Sequence, residues 1–178
     1  MKYIIYLFLI VLLLGINLGL FGQMPIAKQV PNLLFLFTIF FALEKKGYDF
    51  YFIAFISGLL LDFFYTGFFG SFTLAFLISS SCLHLLSDTF IVFELNWKSL
   101  SGLLFGALAV AYLVVWLYGL MVYKFNWTHD FESFSLFSRY FLINFLYNWA
   151  LLYPMYIVYT LLKQGVDSLT IRRRGIVR

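Results

Sequence analysis

A single carboxylate, Asp62, interrupts an otherwise apolar run at residues 56–70. An ionised Asp at the centre of a membrane helix costs about 2.5–3.5 kcal/mol on insertion scales, so such a residue normally faces protein or water. Two interpretations stay open: Asp62 is a proton or substrate site, or its carboxylate bonds to the backbone or a hydroxyl of a neighbouring helix. The second is favoured, because the sequence offers no second intramembrane acid to form a relay.

The fourth apolar segment carries polar side chains of the kinds used in catalysis. Ser79, Ser80 and Ser81 precede Cys82 and His84. No Gly-x-Ser-x-Gly or Ser-x-x-Lys motif accompanies them. Serine hydroxyls in such a cluster bond across helices or back to the i−4 carbonyl, and a lone His is usually hydrogen-bonded or solvated. We therefore interpret this group as packing, since no nucleophile, base and orienting residue come together.

A candidate metal-binding group lies in the loop after the fifth apolar segment. It consists of His129, Asp130 and Glu132. Their spacing matches neither His-Glu-x-x-His nor a calcium-binding loop. Cys82 is the single cysteine, which excludes an internal disulfide and a cysteine metal cluster. The sequence therefore predicts no metal site and no cofactor.

The composition is that of an integral membrane protein. Of 178 residues, 63% are hydrophobic and 11% are charged, against about 25% charged in soluble domains. A helix needs about 20 residues to cross the hydrocarbon core, so the chain has room for several spans and little else. The basic residues lie at the ends of apolar segments and not along one helix face, so we do not expect nucleic-acid binding.

Six apolar segments predict an all-α integral membrane protein with six transmembrane helices in one bundle. The predicted spans are about 3–22, 30–43, 50–65, 68–86, 100–123 and 137–162. The second holds about 14 apolar residues, or about 21 Å of helix, which is short for a crossing. It must recruit flanking residues, thin the bilayer or shelter against neighbouring helices.

The distribution of Lys and Arg predicts the orientation. With six spans both termini share one side. That side collects Lys2, Lys45, Lys46, Lys98, Lys163, Arg172, Arg173, Arg174 and Arg178, and leaves Lys28, Lys124 and Arg139 opposite. The positive-inside rule then places both termini in the cytoplasm, with 163–178 as a basic cytoplasmic tail. Near anionic lipid each such charge is worth about 1 kcal/mol, so membrane lipid is an expected partner of this tail.

Glycines surround the Asp62 segment. Gly58 lies one helical turn before Asp62, so the same helix face offers a small residue that admits a close neighbour. Gly67 and Gly70 bracket a tight turn, where glycine supplies backbone angles that other residues resist. This spacing predicts a compact helical hairpin.

Further small and polar residues predict helix packing. Gly15 with Gly19, and Gly102 with Gly106, have the Gly-x-x-x-Gly spacing, which serves packing within the chain or contact with another protein. In the last span Asn144 and Asn148 share one face. The same span contains Pro154, which frees backbone carbonyls one turn back. Asn17 is the polar residue of the first segment. We interpret all three asparagines as interhelical hydrogen-bonding residues.

Several of these features together resemble one known family. They are Pro31-Asn32-Leu33-Leu34, a charged turn with Gly47, Gly58-Leu-Leu-Leu-Asp62 and Gly67-Phe-Phe-Gly70. This pattern resembles the MreD family, the membrane component of the bacterial rod-shape machinery. Chain length, six spans, cytoplasmic termini and a late Asn-rich span with Pro154 also look like that family, so the resemblance covers essentially the whole chain.

The resemblance implies a function without catalysis. MreD-like proteins act with the bitopic protein MreC, alongside MreB filaments, the polymerase RodA and a class B penicillin-binding protein, to direct lateral peptidoglycan synthesis. The implied location is the bacterial cytoplasmic (inner) membrane. The candidates for structural or partner-contact roles are Pro31, the hairpin residues Gly58, Asp62, Gly67 and Gly70, and Asn144, Asn148 and Pro154 of the last span.

The resemblance also implies an alternative. The MreD family is similar in fold to the S-components of energy-coupling-factor transporters, so the second hypothesis is a substrate-binding membrane subunit of a vitamin-type transporter. Such a subunit needs a few polar groups that converge on a pocket. The external half offers mainly Asp62, Thr66 and the 124–138 loop, so the sequence contains few ligands for a charged vitamin.

Overall fold

A computed structural model describes residues 2–21, 31–43, 49–64, 69–89, 97–125 and 134–175. These residues form six α-helices and one π-helical turn, which confirms the all-helical prediction for them. The elements are α1 (Lys2–Ile16), the π-helical turn (Asn17–Phe21), α2 (Leu33–Ala42), α3 (Asp49–Phe64), α4 (Ser71–Thr89), α5 (Trp97–Lys124) and α6 (Phe134–Gly175).

Two of the described helices are long and apolar enough to cross a membrane. They contain the segments Ser99–Lys124 in α5 and Phe141–Gly165 in α6, of 26 and 25 residues. Shorter apolar helices are Tyr3–Gly19, Leu33–Ala42 and Ser71–Ser87. Six complete crossings therefore stay a prediction.

The short second segment is the centre of the bundle. The ten residues of α2 are all buried, and they pack against α1, α3, α4 and α6. Ten helical residues are about 15 Å long, half the thickness of a hydrocarbon core of about 30 Å. The structure thus shows that neighbouring helices shelter this short segment.

Phenylalanine fills much of this interior. Phe41 of α2 makes edge contacts with Tyr6 of α1 and Tyr159 of α6, at ring-centroid distances of 5.1 and 5.2 Å. Phe37, in the same helix, packs on Phe41 at 4.9 Å. Aromatic pairs of this kind contribute about 0.5–1.5 kcal/mol beyond the area that they bury. The aromatic side chains thus join the central helix to the helices on either side of it.

The helices α3 and α4 form a hairpin, and α4 continues the packing onto α5. The buried face of α3 carries Ala54, Gly58 and Asp62, at the four-residue spacing that places side chains on one helix face. Small residues at this spacing allow two backbones to approach closely. The hairpin brings the carboxylate of Asp62 to the start of α4.

Candidate functional site

The carboxylate of Asp62 binds the first turn of α4. The side chain is 6% exposed. Its Oδ1 accepts a hydrogen bond from the backbone N–H of Phe72 at 2.9 Å. Its Oδ2 accepts from the backbone N–H of Thr73 at 3.0 Å and from the Thr73 hydroxyl at 2.5 Å. Of the two interpretations open from the sequence, the structure shows bonding to the backbone and hydroxyl of a neighbouring helix.

Helix electrostatics explain why a carboxylate is tolerated here. The first N–H groups of an α-helix have no partner within the helix, and together they carry a partial positive charge of about half an electron. The carboxylate of Asp62 takes up two of these donors at the start of α4. Hydrogen bonds to a charged acceptor are roughly twice as strong as neutral ones. The cost of burial is therefore offset by groups that would otherwise be unsatisfied.

Gly58 permits the close approach that this bonding needs. A Cβ atom at Gly58 would lie 2.5 Å from Cα of Thr73 and 2.9 Å from its backbone N. Both atoms belong to the backbone of α4, so no side-chain rotation relieves the clash. The absence of a side chain at Gly58 thus brings α4 close enough for Asp62, one turn later, to reach the amides.

Gly70 occupies a conformation that other residues rarely adopt. Its φ is +93°, in the region where glycine has no steric penalty. The neighbouring carbonyl of Phe69 accepts a 2.8 Å hydrogen bond from the hydroxyl of Tyr118 in α5. The start of α4 is therefore bound from both sides, by Asp62 of α3 and by Tyr118. Gly67 lies outside the described residues.

A second polar cluster lies at the N-terminus of α2. Asn32 is the N-cap, and its Oδ1 accepts from the backbone N–H of Phe35 at 3.0 Å. The N–H of Asn32 itself donates to Oδ1 of Asn148 at 3.0 Å. The next N–H, of Leu33, donates to Oδ1 of Asn17 at 3.4 Å. Three asparagines from three parts of the chain thus satisfy the start of the buried helix.

The asparagines of the last span support one another. Asn148 donates from Nδ2 to the backbone carbonyl of Asn144 at 2.8 Å and to its Oδ1 at 2.5 Å. These bonds orient the amide so that its oxygen faces α2. Pro31 is buried directly before the Asn32 cap, whereas Pro154 lies on an exposed position within α6.

His84 binds the opposite end of α2. It is 9% exposed, and its Nδ1 lies 3.2 Å from the carbonyl oxygen of Ala42. Because a carbonyl can only accept, Nδ1 carries the proton and donates it. The His84 ring also packs against Phe50 of α3, with ring centroids 4.6 Å apart. His84 thus serves as a C-terminal cap for a helix whose last carbonyls lack intrahelical partners.

We expect His84→Leu to destabilise the protein by about 1–3 kcal/mol, because it leaves the buried Ala42 carbonyl without its donor. The measurement is unfolding of the full chain in detergent or lipid nanodiscs. Leu85→Ala is the matched control on the same helix, since Leu85 is 65% exposed. Equal stability of His84→Leu and the wild type would contradict the capping role.

The serine cluster bonds within its own helix. The hydroxyls of Ser79, Ser80 and Ser81 donate to carbonyls four residues earlier, those of Ala75, Phe76 and Leu77. This is the i−4 bonding that the sequence left open. These serines are therefore satisfied locally, and no base is needed to explain them.

The structure adds to the prediction for two of the caps. The sequence predicts an interhelical hydrogen bond for Asn17 without naming its partner, and it gives Asn32 only as part of a family-like run. A signal for Asn32 is present, because Asn directly before an apolar helix is a typical N-cap. Asn17 has no such signal, since its partner Leu33 belongs to another helix.

The four glycines predicted to pack helices lie on the outside of the described bundle. Gly15 and Gly19 are exposed on the first helix and its π-helical turn, and Gly102 and Gly106 are exposed on α5. A Cβ atom at any of the four would meet nothing within 4 Å. Among the described residues they therefore make no close helix contact.

The described residues contain no group of three or more His, Cys, Asp or Glu side chains placed to hold a metal ion. The sequence candidates His129, Asp130 and Glu132 lie outside the described residues. The polar side chains that the structure brings together act on helix ends. Their chemistry is the satisfaction of buried backbone groups.

A scan against protein families matches residues 1–162 to MreD, rod shape-determining protein MreD. Neither the curated proteins nor the solved structures contain a match to the chain. The family match spans α1 to α5 and α6 as far as residue 162, including the Asp62 hairpin and the asparagine cluster at α2. The chain therefore belongs to the MreD family of rod shape-determining proteins, which are non-enzymatic membrane proteins.

Proposed function

We propose that this protein is a membrane scaffold of the bacterial elongation machinery, which maintains rod shape by acting with an MreC-like protein to direct lateral peptidoglycan synthesis. Membership of the MreD family carries the proposal. The other members of the machinery, MreB, RodA and a class B penicillin-binding protein, are indirect partners in this scheme. Both termini lie in the cytoplasm, as the bias of Lys and Arg predicts.

The use of the buried polar groups supports a scaffold. Asp62, Asn148 and His84 each bind a backbone group at a helix end. Such bonds hold helices in one arrangement, because an unsatisfied backbone group in a membrane costs several kcal/mol. A transporter subunit instead needs polar groups that remain available to its substrate. The structure thus supports the scaffold over the vitamin-transporter alternative.

The exposed glycines are our candidates for partner contact. Gly102 and Gly106 lie on an exposed face of α5, and Ala109 extends the same face. Small residues at this spacing let the backbone of another membrane helix approach closely. Gly15 and Gly19 offer a second face of this kind at the first helix. We propose that a single-span MreC-like partner packs on one of these faces.

Depletion of the protein in its own bacterium tests the proposed role. We expect cells to lose rod shape and to regain it with the wild-type copy. Cells of normal shape that fail to take up a vitamin would overturn the scaffold and favour the transporter.

We expect Gly106→Leu to reduce co-purification of the MreC-like partner at least about fivefold if the α5 face is used, which corresponds to about 1 kcal/mol of contact energy. The reason is that a Leu side chain separates two backbones that small residues allow to touch. Gly15→Leu tests the other face in the same way. Gly165→Leu, near the end of the apolar part of α6, is the control, because Gly165 is also exposed with open space around it.

Normal partner binding in both Gly106→Leu and Gly15→Leu would contradict contact through these faces. That outcome would leave the rod-shape role untouched, since the depletion experiment tests it separately.

A further inference from the structure

The first two backbone amides of the α2 region bind two different helical segments. The N–H of Asn32 donates to Asn148 of α6. The N–H of the next residue, Leu33, donates to Asn17 at the start of the π-helical turn that continues α1. Asn17 and Asn148 are 1% and 0% exposed. One helix end therefore holds side chains from both sides of the bundle.

The other end of α2 repeats this arrangement with aromatic rings. Phe41 contacts Tyr6 of α1 at 5.1 Å and Tyr159 of α6 at 5.2 Å between ring centroids. Each of the outer helices is thus attached to α2 at two levels, one polar and one aromatic. Two attachments separated along a helix restrict its tilt as well as its position.

The surroundings of α2 make partial release costly. All ten of its residues are buried, so a shift of α2 relative to one neighbour exposes no backbone group to water. The buried Leu33 amide stays unsatisfied if it loses its acceptor, which is expensive within a membrane. The amide of the half-buried Asn32 loses a hydrogen bond to the fully buried Asn148. If α6 moves while the bond between Asn148 and Asn32 is kept, α2 must move with it. Because Leu33 of α2 is bonded to Asn17, the movement of α2 then displaces Asn17 as well.

We infer that α2 is an internal coupling element, which fixes the position of α1 relative to α6 and passes a displacement of either helix to the other. The π-helical turn at Asn17–Phe21 is the place where α1 can adjust, since such turns interrupt regular helix geometry. The coupling links the exposed Gly15 and Gly19 face to a helix that continues to Gly175. It does not depend on the proposed function.

The test measures the position of α1 relative to α5 after a substitution in α6. Spin labels replace Phe8 of α1 and Leu113 of α5, which are 68% and 52% exposed, in the full chain with Cys82→Ser in nanodiscs. We expect Asn148→Ala to shift or broaden the distance distribution between these labels, although neither label lies on α6. Backbone hydrogen exchange supplies a second readout. We expect exchange at Leu33, whose own acceptor is Asn17, to become about tenfold faster together with that at Asn32.

Trp149→Phe is the matched control. Trp149 is the next residue on α6, and its Nε1 donates to the hydroxyl of Ser101 in α5 at 3.0 Å. This variant therefore disturbs the contact between α6 and α5 without touching the α2 cap. We expect the distance distribution and the exchange at Leu33 to stay as in the wild type.

Because the coupling acts in both directions, a variant next to α1 should also affect α6. Coupling between two sites is symmetric in free energy, so Asn17→Ala is expected to broaden the distance between labels at Leu161 of α6 and Leu113 of α5. Tyr159→Leu, which acts through Phe41 at the aromatic level, is expected to displace α1 in the same way and serves if Asn148→Ala fails to fold. Faster exchange at Asn32 alone, with unchanged Leu33 exchange and unchanged distances, would overturn the coupling.

Discussion

Gly58→Ala is expected to destabilise the protein by about 1–3 kcal/mol or more, the range for overpacking a well-packed interior. The added methyl group would lie 2.5 Å from Cα of Thr73 and 3.0 Å from the carbonyl oxygen of Phe72. Since both are backbone atoms, α3 and α4 must move apart. That movement also lengthens the hydrogen bonds from Asp62. The measurements are unfolding of the purified protein and restoration of rod shape in depleted cells.

Gly106→Ala is the matched control for this substitution. Gly106 also lies within a helix, but a Cβ atom there meets nothing within 4 Å. Replacing a helical glycine by alanine in open space stabilises a helix by about 1 kcal/mol. In the unfolding measurement Gly106→Ala should therefore be neutral or stabilising while Gly58→Ala is destabilising. The control applies to unfolding alone, because Gly106 lies on a proposed partner face. Equal effects of the two variants on unfolding would contradict the close approach at Gly58.

Asp62→Asn is expected to destabilise the hairpin by about 2 kcal/mol or more. Asp62 accepts three hydrogen bonds from the start of α4, and hydrogen bonds to charged groups are worth about 1.5–3 kcal/mol each. An Asn side chain has one accepting oxygen, and its NH₂ group would face another donor. We expect weaker association with the MreC-like partner and incomplete rescue of cell shape, because the hairpin no longer holds its arrangement.

Thr73→Val isolates one of these hydrogen bonds. It removes the hydroxyl that donates to Oδ2 and leaves both backbone donors in place. We therefore expect a loss of about 1 kcal/mol, smaller than that of Asp62→Asn. If Asp62→Asn left stability, partner binding and cell shape unchanged, the carboxylate would have no role in holding the hairpin.

The hairpin of α3 and α4 shows which features local sequence signals can predict and which they cannot. Three features are visible in the sequence: the carboxylate of Asp62 within an apolar run, the small residue one turn before it, and the glycine-rich turn after it. The partner amides, at Phe72 and Thr73, are not distinguishable by sequence from any other backbone amides. Because every helix start offers such donors, only the packing of α3 on α4 selects these two.

The second segment shows the opposite case. Its length of about 14 apolar residues left three accommodations open, since apolar content does not distinguish lipid from a protein interior. Burial of all ten residues of α2 shows that neighbouring helices shelter it. The residues that cap α2, Asn148 and Asn17, come from distant parts of the chain, so no local sequence pattern predicts these hydrogen bonds.

The glycine pairs show what a sequence motif leaves undetermined. Gly102 with Gly106 has the same spacing whether it packs inside the chain or against another protein. In the described bundle the pair is exposed with open space around it. Spacing predicts a face of small residues, whereas the fold decides which direction that face points.

By itself, the sequence determined that this protein is helical, apolar and of the MreD family, because composition, periodicity and family pattern are properties of the chain alone. Only the tertiary structure decided what its buried polar groups do. Helix ends must be satisfied wherever they are buried, and the donors and acceptors that satisfy them belong to helices that meet only in the folded bundle. Asp62 therefore caps α4, and Asn148 and Asn17 cap α2.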